Sequence, residues 1–317
     1  MPDCIVFTPE ELLPDAWRHF LTAGPVRVFN PALIRDADGW LFAFRVVATD
    51  ELRRIAVVRL DRTLTAVAGS GVALTDLVRF APNGEYPTQA LEWFADPRLY
   101  RFGARLFIYW NSGWHEPRNC QFLQELDPKN LHPIGCPREL ILRGQRQPLE
   151  KNWTLFGDGP FYAVYSPAPH RVLGFSLTGE GDIEFADISV TPTDNAGLRG
   201  GAPPQLADGH YWSFCHTIES AADGYRYAAA VYRFAATAPF APTDTSAGVL
   251  ALGNPFGGKR LHPKLNPAVG EVLYPCGAAH DAGRWLVSHG INDEHCAISL
   301  LSAAEVRGAL RPLGARR

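Results

Sequence analysis

One eleven-residue pattern occurs five times in the chain, and it limits the fold more than anything else in the sequence. The segments NPALIRDADGW from Asn30, DPRLYRFGARL from Asp96, NWTLFGDGPFY from Asn152, GAPPQLADGHY from Gly201 and PCGAAHDAGRW from Pro275 align without a gap. Each ends on a large residue at the same offset: Trp40, Leu106, Tyr162, Tyr211 and Trp285. A glycine stands at or near the presumptive turn in all five, as Gly39, Gly103, Gly159, Gly209 and Gly283. Glycine tolerates the positive φ of tight hairpin turns, so each segment reads as a β-hairpin. The clearest is the second, with strands over 97–100 and 106–110 and a turn over 101–105. Because the ends of a hairpin lie side by side, Asp96 and Asn111 are expected on one side.

The spacing between segments is irregular, roughly 50 to 75 residues, which leaves room for two more strands in each unit. Repeated four-stranded units predict an all-β, five-bladed β-propeller in one domain over 1–317. The blades fall near 26–68, 91–142, 149–188, 198–250 and 271–301. A β-sandwich is the competing fold, but it does not require fixed offsets between hairpins. Two short helices are expected. Thr8-Pro9-Glu10-Glu11 carries a helix start, and Ser302-Ala303-Ala304-Glu305 a capping box near the C-terminus. The run 4–7 is expected to be an outer strand that closes the ring with the last blade.

A hydrophobic content of 46% allows a sizeable core, and a net charge of −3 does not point to nucleic acid or a membrane surface as partner. No apolar run approaches the ~18 residues of a membrane span, and the N-terminus does not read as a signal peptide. Six cysteines without a CxxC pair read as free thiols of a cytoplasmic protein.

Laid on the repeat, the polar residues gather at corresponding strand ends. Asn30, Asp96, Lys151 with Asn152, and Arg199 lie near the starts of first strands; Arg45, Asn111, Ser166, His216 and His289 lie near the ends of second strands. First strands line the channel of a propeller, so these residues are expected to ring one of its mouths. Singly, Asp96 reads as a structural acid, His216 as a strand-end histidine and Lys151 as a solvated cation. Charges at the ends of otherwise apolar strands are costly without partners, and their convergence points to a functional mouth.

In these residues the chain resembles the mannoside phosphorylases and mannosidases of glycoside hydrolase family 130. The resemblance rests on Asn30-Pro31 with Phe44-Arg45, Asp96-Pro97-Arg98, Lys151-Asn152, Arg199-Gly200-Gly201, His216, Tyr274-Pro275-Cys276-Gly277, and Ser288-His289-Gly290 with Asp293, in that order over about 26–300. It implies a general acid at Asp96, a phosphate site at Lys151 and His216, and sugar contacts from Arg45 and Asp293. Two features depart from the family pattern: Ala95 stands where an acidic residue usually precedes the aspartate, and the run from His289 to Asp293 differs.

Inverting cleavage of a glycosidic bond needs an acid for the leaving oxygen and a nucleophile on the opposite ring face. Asp96 serves as the acid if a partly dry channel raises its pKa. With inorganic phosphate as co-substrate no second carboxylate is needed, and Lys151, Arg199, His216 and Arg118 supply cations for it. Asn30, Arg45, Arg98, Asn111, Asn152, His289 and Asp293 are expected substrate contacts, and Trp110, Trp114 and Trp153 candidate stacking faces. With water as nucleophile, Glu150, Glu116 and Glu85 are the candidate bases. His289, Asp293 and His295 match no metal spacing, so no metal or cofactor is assigned. The sequence therefore reads as an enzyme acting on a carbohydrate, a β-mannoside by its resemblance. The alternatives are a non-catalytic glycan-binding propeller and a glycosyltransferase using a phosphorylated or nucleotide-linked sugar.

Overall fold

The computed structural model describes residues 3–82, 84, 86–113, 118–143, 150–193, 197–221 and 224–313. The protein is built almost wholly of β-strands, and the five repeated segments form five antiparallel hairpins. These are Arg27–Asp36 with Gly39–Val47, Ala95–Phe102 with Arg105–Asn111, Thr154–Phe156 with Phe161–Pro167, Gln205–Ala207 with His210–Ala221, and Val269–Asp281 with Arg284–Ile291. The large residue at the fixed offset sets a common register. Trp40 faces Arg35, Leu106 faces Arg101, Tyr211 faces Leu206 and Trp285 faces His280. In the third hairpin Tyr162 faces Phe156, so its turn is one residue longer. Four of the five turn glycines take positive φ; Gly39 does not, and is needed because a β-carbon there would strike the Leu60 carbonyl oxygen.

Strands assemble into three sheets of three, eight and ten. The first hairpin and Arg53–Asp61 form the smallest. The second and third hairpins, each with two further strands, meet through a short parallel pairing of Leu140–Leu142 with Ile183–Phe185. The fourth and fifth are likewise joined by a short parallel pairing, through Tyr225 with Val269 and Tyr227 with Val272. The N-terminal strand Asp3–Phe7 adds to His295–Ser302 at the edge of the fifth unit, as the sequence predicts.

The first strands also touch one another in sequence. Arg27–Asp36 packs against Ala95–Phe102 on one side and Val269–Asp281 on the other. Smaller contacts continue from Ala95–Phe102 to Thr154–Phe156, and from Gln205–Ala207 to Val269–Asp281. The core lies between sheets, with Trp110, Trp153, Trp212 and Trp285 fully buried. Both predicted capping boxes are present, at Thr8 with Glu11 and at Ser302 with Glu305. No described helix is long and apolar enough to cross a membrane.

Candidate active site

The site begins with a backbone irregularity. Asn30, Asp96 and Asn152 all have left-handed backbones, with φ of 52°, 51° and 64°. The pairing register slips between Phe29 and Ala32 in the first hairpin, and between Ala95 and Arg98 in the second. A left-handed residue breaks the alternation of a strand at a cost of about 1–2 kcal/mol, least for Asn and Asp, whose short polar side chains bond locally. Asn30 and Asp96 thereby turn out of their strands, Asn152 stands just before Thr154–Phe156, and all three line a common pocket.

That pocket, of about 130 Å³, is lined by Asn30, Arg45, Asp96, Lys151, Asn152, His216, Tyr227, Asn266, Val269, Val272, Tyr274 and Asp293. Asp96 is central. Asn30 Nδ2 donates to its Oδ1 at 2.8 Å, Arg45 Nη1 to the same oxygen at 3.2 Å, and Asn111 Nδ2 to Oδ2 at 3.4 Å. Its side chain keeps 17% of its accessible surface, enough to meet a ligand. Gly290 lets Asn30 in, since a β-carbon there would lie 2.2 Å from Asn30 Oδ1.

Behind Asp96 a buried guanidinium ties four hairpins together. Arg98 Nη1 donates to the carbonyls of Asp96 and Pro97 at 2.9 Å, Nε to Gly201 O at 2.6 Å, and Nη2 to Tyr274 Oη at 2.8 Å. Tyr274 Oη in turn donates to Asn152 Oδ1 at 2.9 Å. Two left-handed residues, Asp96 and Asn152, are thus linked through the side chains of Arg98 and Tyr274.

The electrostatics of the pocket are uneven. Burial pushes the Asp96 carboxyl up, but Arg45, Arg98, the Asn30 amide and Lys151 outweigh it and hold it below the usual carboxylate range. Asp293 goes the other way: burial raises it, with Arg45 opposing and the Asp96 charge adding to the rise. Lys151 is lowered by burial, although Asp96 favours its charge. His216 is pushed down to about 3, chiefly by burial and then by Arg98, so it is a neutral ring. It packs edge-on to Tyr274 at 4.7 Å between ring centres, with Nδ1 buried and unpartnered in the described structure.

No family model and no curated protein sequence matches this chain. Solved structures do. A β-1,2-mannobiose phosphorylase from Listeria innocua, in complex with β-1,2-mannobiose, superposes with a TM-score of 0.62 at 14% identity, over 97% of this chain and 99% of that one. A structure from the GH130 family of mannoside phosphorylases, described with glycoside hydrolases that target β-1,2 mannosidic linkages in Candida mannan, gives 0.62 at 13% identity, over 88% and 85%. A GDP-Man-dependent mannosyltransferase from Leishmania mexicana gives 0.52 at 13% identity, over 95% and 89%. The fold is that of the GH130 structures. At such identities the likeness concerns the backbone, and it extends over nearly the whole chain.

Within this GH130-like fold, Asn30, Arg45, Asp96, Lys151, Asn152, His216 and Asp293 meet in the pocket, as the sequence predicts, and Asn111 reaches it through Asp96. Other expectations need correcting. Arg98 is 1% exposed and does not line the pocket; it positions Asp96 instead of touching substrate. His289 is buried, pairs Nε2 with Ser299 Oγ at 2.9 Å, and has its pKa pushed down to about 3 by burial, so it is a core residue. Arg199 is exposed, donates to the Leu198 carbonyl and is not in the lining, although its backbone pairs with His216. Ser166 bonds Pro169 O away from the site.

Arg118 pairs with Glu139 in a separate small pocket that also includes Glu150, so neither the extra cation nor that candidate base stands beside Asp96. Trp110 stacks on Phe94 and Trp153 packs on Phe185, both inside the core. Glu85, Trp114 and Glu116 lie outside the described residues. The premise of a raised Asp96 pKa is reversed by its cationic neighbours, and His216 is no cation.

Residues the repeat did not indicate complete the pocket. Tyr227 comes from the third strand of the fourth unit, and Asn266 from the connection between the fourth and fifth hairpins. That connection is tied down by Glu294, which accepts from the amides of Leu261 and His262 at 2.8 and 3.1 Å. Asn292 holds it too, donating to the carbonyls of Gly257 and Lys259. The Gly-, Pro- and Lys-rich composition of this stretch was the only available signal.

Proposed function

We propose that the protein is a single-domain, five-bladed propeller enzyme that cleaves a glycoside, a β-mannoside by the likeness of its fold. In this reading Asp96 protonates the leaving oxygen and inorganic phosphate attacks the opposite ring face. The observation that carries the reading is the placement of Asp96. A left-handed residue sets its carboxylate in a pocket between Arg45 and Lys151, which come from different hairpins.

The pKa directions give the reaction an order. Arg45, Arg98 and Lys151 hold the Asp96 carboxyl below the usual range and so favour its ionised form, with both its oxygens accepting hydrogen bonds. An anion bound against Lys151 and the His216 ring offsets the positive charge around Asp96, which then takes up the proton it must deliver. His216, being neutral, contributes a ring nitrogen to the anion and no charge. Asn30 and Arg45 orient the acid, and Asp293 faces the sugar.

Phosphorolysis is favoured over hydrolysis because Arg45 and Lys151 flank Asp96 in the described lining; the other carboxylate there, Asp293, is raised by burial and is the residue to test as base if water is the nucleophile. A panel of glycosides incubated with and without phosphate tests this. Sugar 1-phosphate formed only when phosphate is present supports the reading; free sugar formed at the same rate without it means hydrolysis. A wild-type protein that binds glycans without cleaving any of them would be a binding module.

A further inference from the structure

The pocket has a second lobe. It shares Arg45, Asp96, Lys151, Asn266 and Asp293 with the first, but its remaining wall is Phe29, Arg53, Trp93, Ala95, Asn111, Gly113, Leu265 and Pro267. His216 lines only the first lobe, and Arg53 and Trp93 only the second.

Arg53 and Trp93 form one rigid unit. They are joined by an isolated parallel bridge, and Phe94 N donates to Arg53 O at 3.3 Å. The Arg53 guanidinium lies over the indole, 4.3 Å from its centre. On Gly113 a β-carbon would sit 2.2 Å from Trp93 Nε1, so the indole rests on bare backbone there. A guanidinium stacked on a fixed ring has lost most of its freedom before any ligand arrives.

Its hydrogen-bonding capacity is not used up. Arg53 Nη1 donates to the Glu51 carbonyl, while Nε is buried without a partner, and no carboxylate pairs with Arg53 among the described residues. Arg45 is similar: its guanidinium lies over Phe29 at 4.6 Å, one nitrogen serves Asp96, and Nε is buried and unpartnered. Two other partly buried arginines, Arg233 and Arg171, are matched to acids, Asp244 and Asp187, whereas Arg98 and Arg260 are matched to carbonyls. Here two arginines face one lobe, and burial followed by the charge of Arg45 disfavours the charge on Arg53, with Glu51 and Asp293 opposing only in part. An oxyanion between them would relieve the repulsion and use the forks.

We infer that the second lobe is a subsite for an oxyanion carried by the substrate itself, held by Arg53 with Arg45 against the Trp93 face. The substrate class is then an anionic glycoside, its charge a phosphate ester or a carboxylate on the sugar beyond the cleaved bond. This inference rests on the reading of Asp96 as the acid only in assigning the lobe to the leaving side.

The test is calorimetric titration of wild type and Arg53→Gln with four probes: a neutral hexose, a hexose 6-phosphate, a hexuronate and inorganic phosphate. Wild type should bind at least one anionic sugar about tenfold or more tighter than the neutral hexose, with an affinity that falls as salt is raised. Arg53→Gln should abolish that preference while the neutral hexose and inorganic phosphate change less than about threefold; Arg53→Lys should restore part of it. Which anionic sugar gains identifies the charged group.

No anionic preference in wild type overturns the inference. So does an equal loss for neutral and charged sugars, or a loss for free phosphate as large as for the sugar anion. Thermal melting of each variant separates misfolding from lost binding, and the salt dependence of wild type stands without any variant. An anionic preference that depends on Arg53, in a protein that turns over no glycoside, would keep the subsite and sink the proposed reaction. Turnover of neutral glycosides with no charge preference would do the reverse.

Discussion

The two ends of the same hairpins follow different rules. At the turn end the register is regular, and charges meet in partly exposed pairs such as Arg35 with Asp281 and Arg101 with Asp36. At the pocket end the register slips, Asn30, Asp96 and Asn152 turn left-handed, and Arg98, His216 and His289 are buried. One end of each strand satisfies the needs of folding, which leaves the other free to carry strain and buried polarity. The difference teaches where to expect large effects and where small ones.

Acid should separate the ends most strongly. His216 and His289 have pKa values pushed down to about 3, and His170, a third buried histidine, to about 4. An unfolded histidine takes a proton near pH 6.5, and these do so in the folded protein only far lower. Their contribution to stability is therefore intact above about pH 6.5 and is lost as the pH falls from there toward the folded values. The slope is about 1.4 kcal/mol per pH unit for each histidine, or about 4 kcal/mol for three. Denaturant melts between pH 7 and 5 should show the steep loss, and His289→Gln should make it shallower. A flat profile would mean that the buried rings are not held neutral.

Next comes the acid itself. Asp96→Asn keeps the Asn30 and Asn111 contacts in outline but cannot deliver a proton, so turnover of a verified glycoside should fall about 100-fold or more. Lys151→Ala removes one of the cations flanking the pocket and should raise the phosphate KM about tenfold, with glycoside affinity moving much less. Because His216 is neutral, His216→Ala should weaken phosphate by a factor that does not change between pH 6 and 8; a factor that grows as pH falls would show a protonated ring. The smallest effect belongs to the turn end. Arg101→Ala breaks a partly exposed pair with Asp36 and should cost no more than about 1 kcal/mol in a urea melt, with kinetics unchanged.

The same contrast explains what could be read from the sequence. Regular structure leaves a regular trace: Trp40, Leu106, Tyr211 and Trp285 mark the register because a hairpin places them opposite residues five positions earlier. The slipped end leaves a weaker one. Asp96, Lys151 and His216 were legible because a charge or imidazole at the end of an apolar strand stands out. An offset fixes a strand's end but not the direction of a side chain, since neighbouring residues face opposite sides. His289 therefore looked like His216, yet it points at Ser299 in the core.

Arg98 looked like a substrate contact because nothing in Asp-Pro-Arg shows that the guanidinium turns inward to Gly201 and Tyr274. Arg53, Trp93 and Asn266 lie outside the repeated segments, and only packing brings them to the pocket. For the pKa of Asp96 the sequence offers burial alone. Four cationic or donating neighbours decide it the other way.

The strand Asp3–Phe7 completes its sheet with His295–Ser302, nearly three hundred residues later. Such a pairing cannot form until its partner has been made, nearly three hundred residues after the strand itself. Asp293 and the tether Glu294 arrive at the same moment, just before that partner strand. Until then the edge of Asp3–Phe7 is open, and closing so large a loop slows the pairing. Completion of the sheet and of the pocket thus waits on the same stretch of chain, and a nascent chain short of residue 293 has neither.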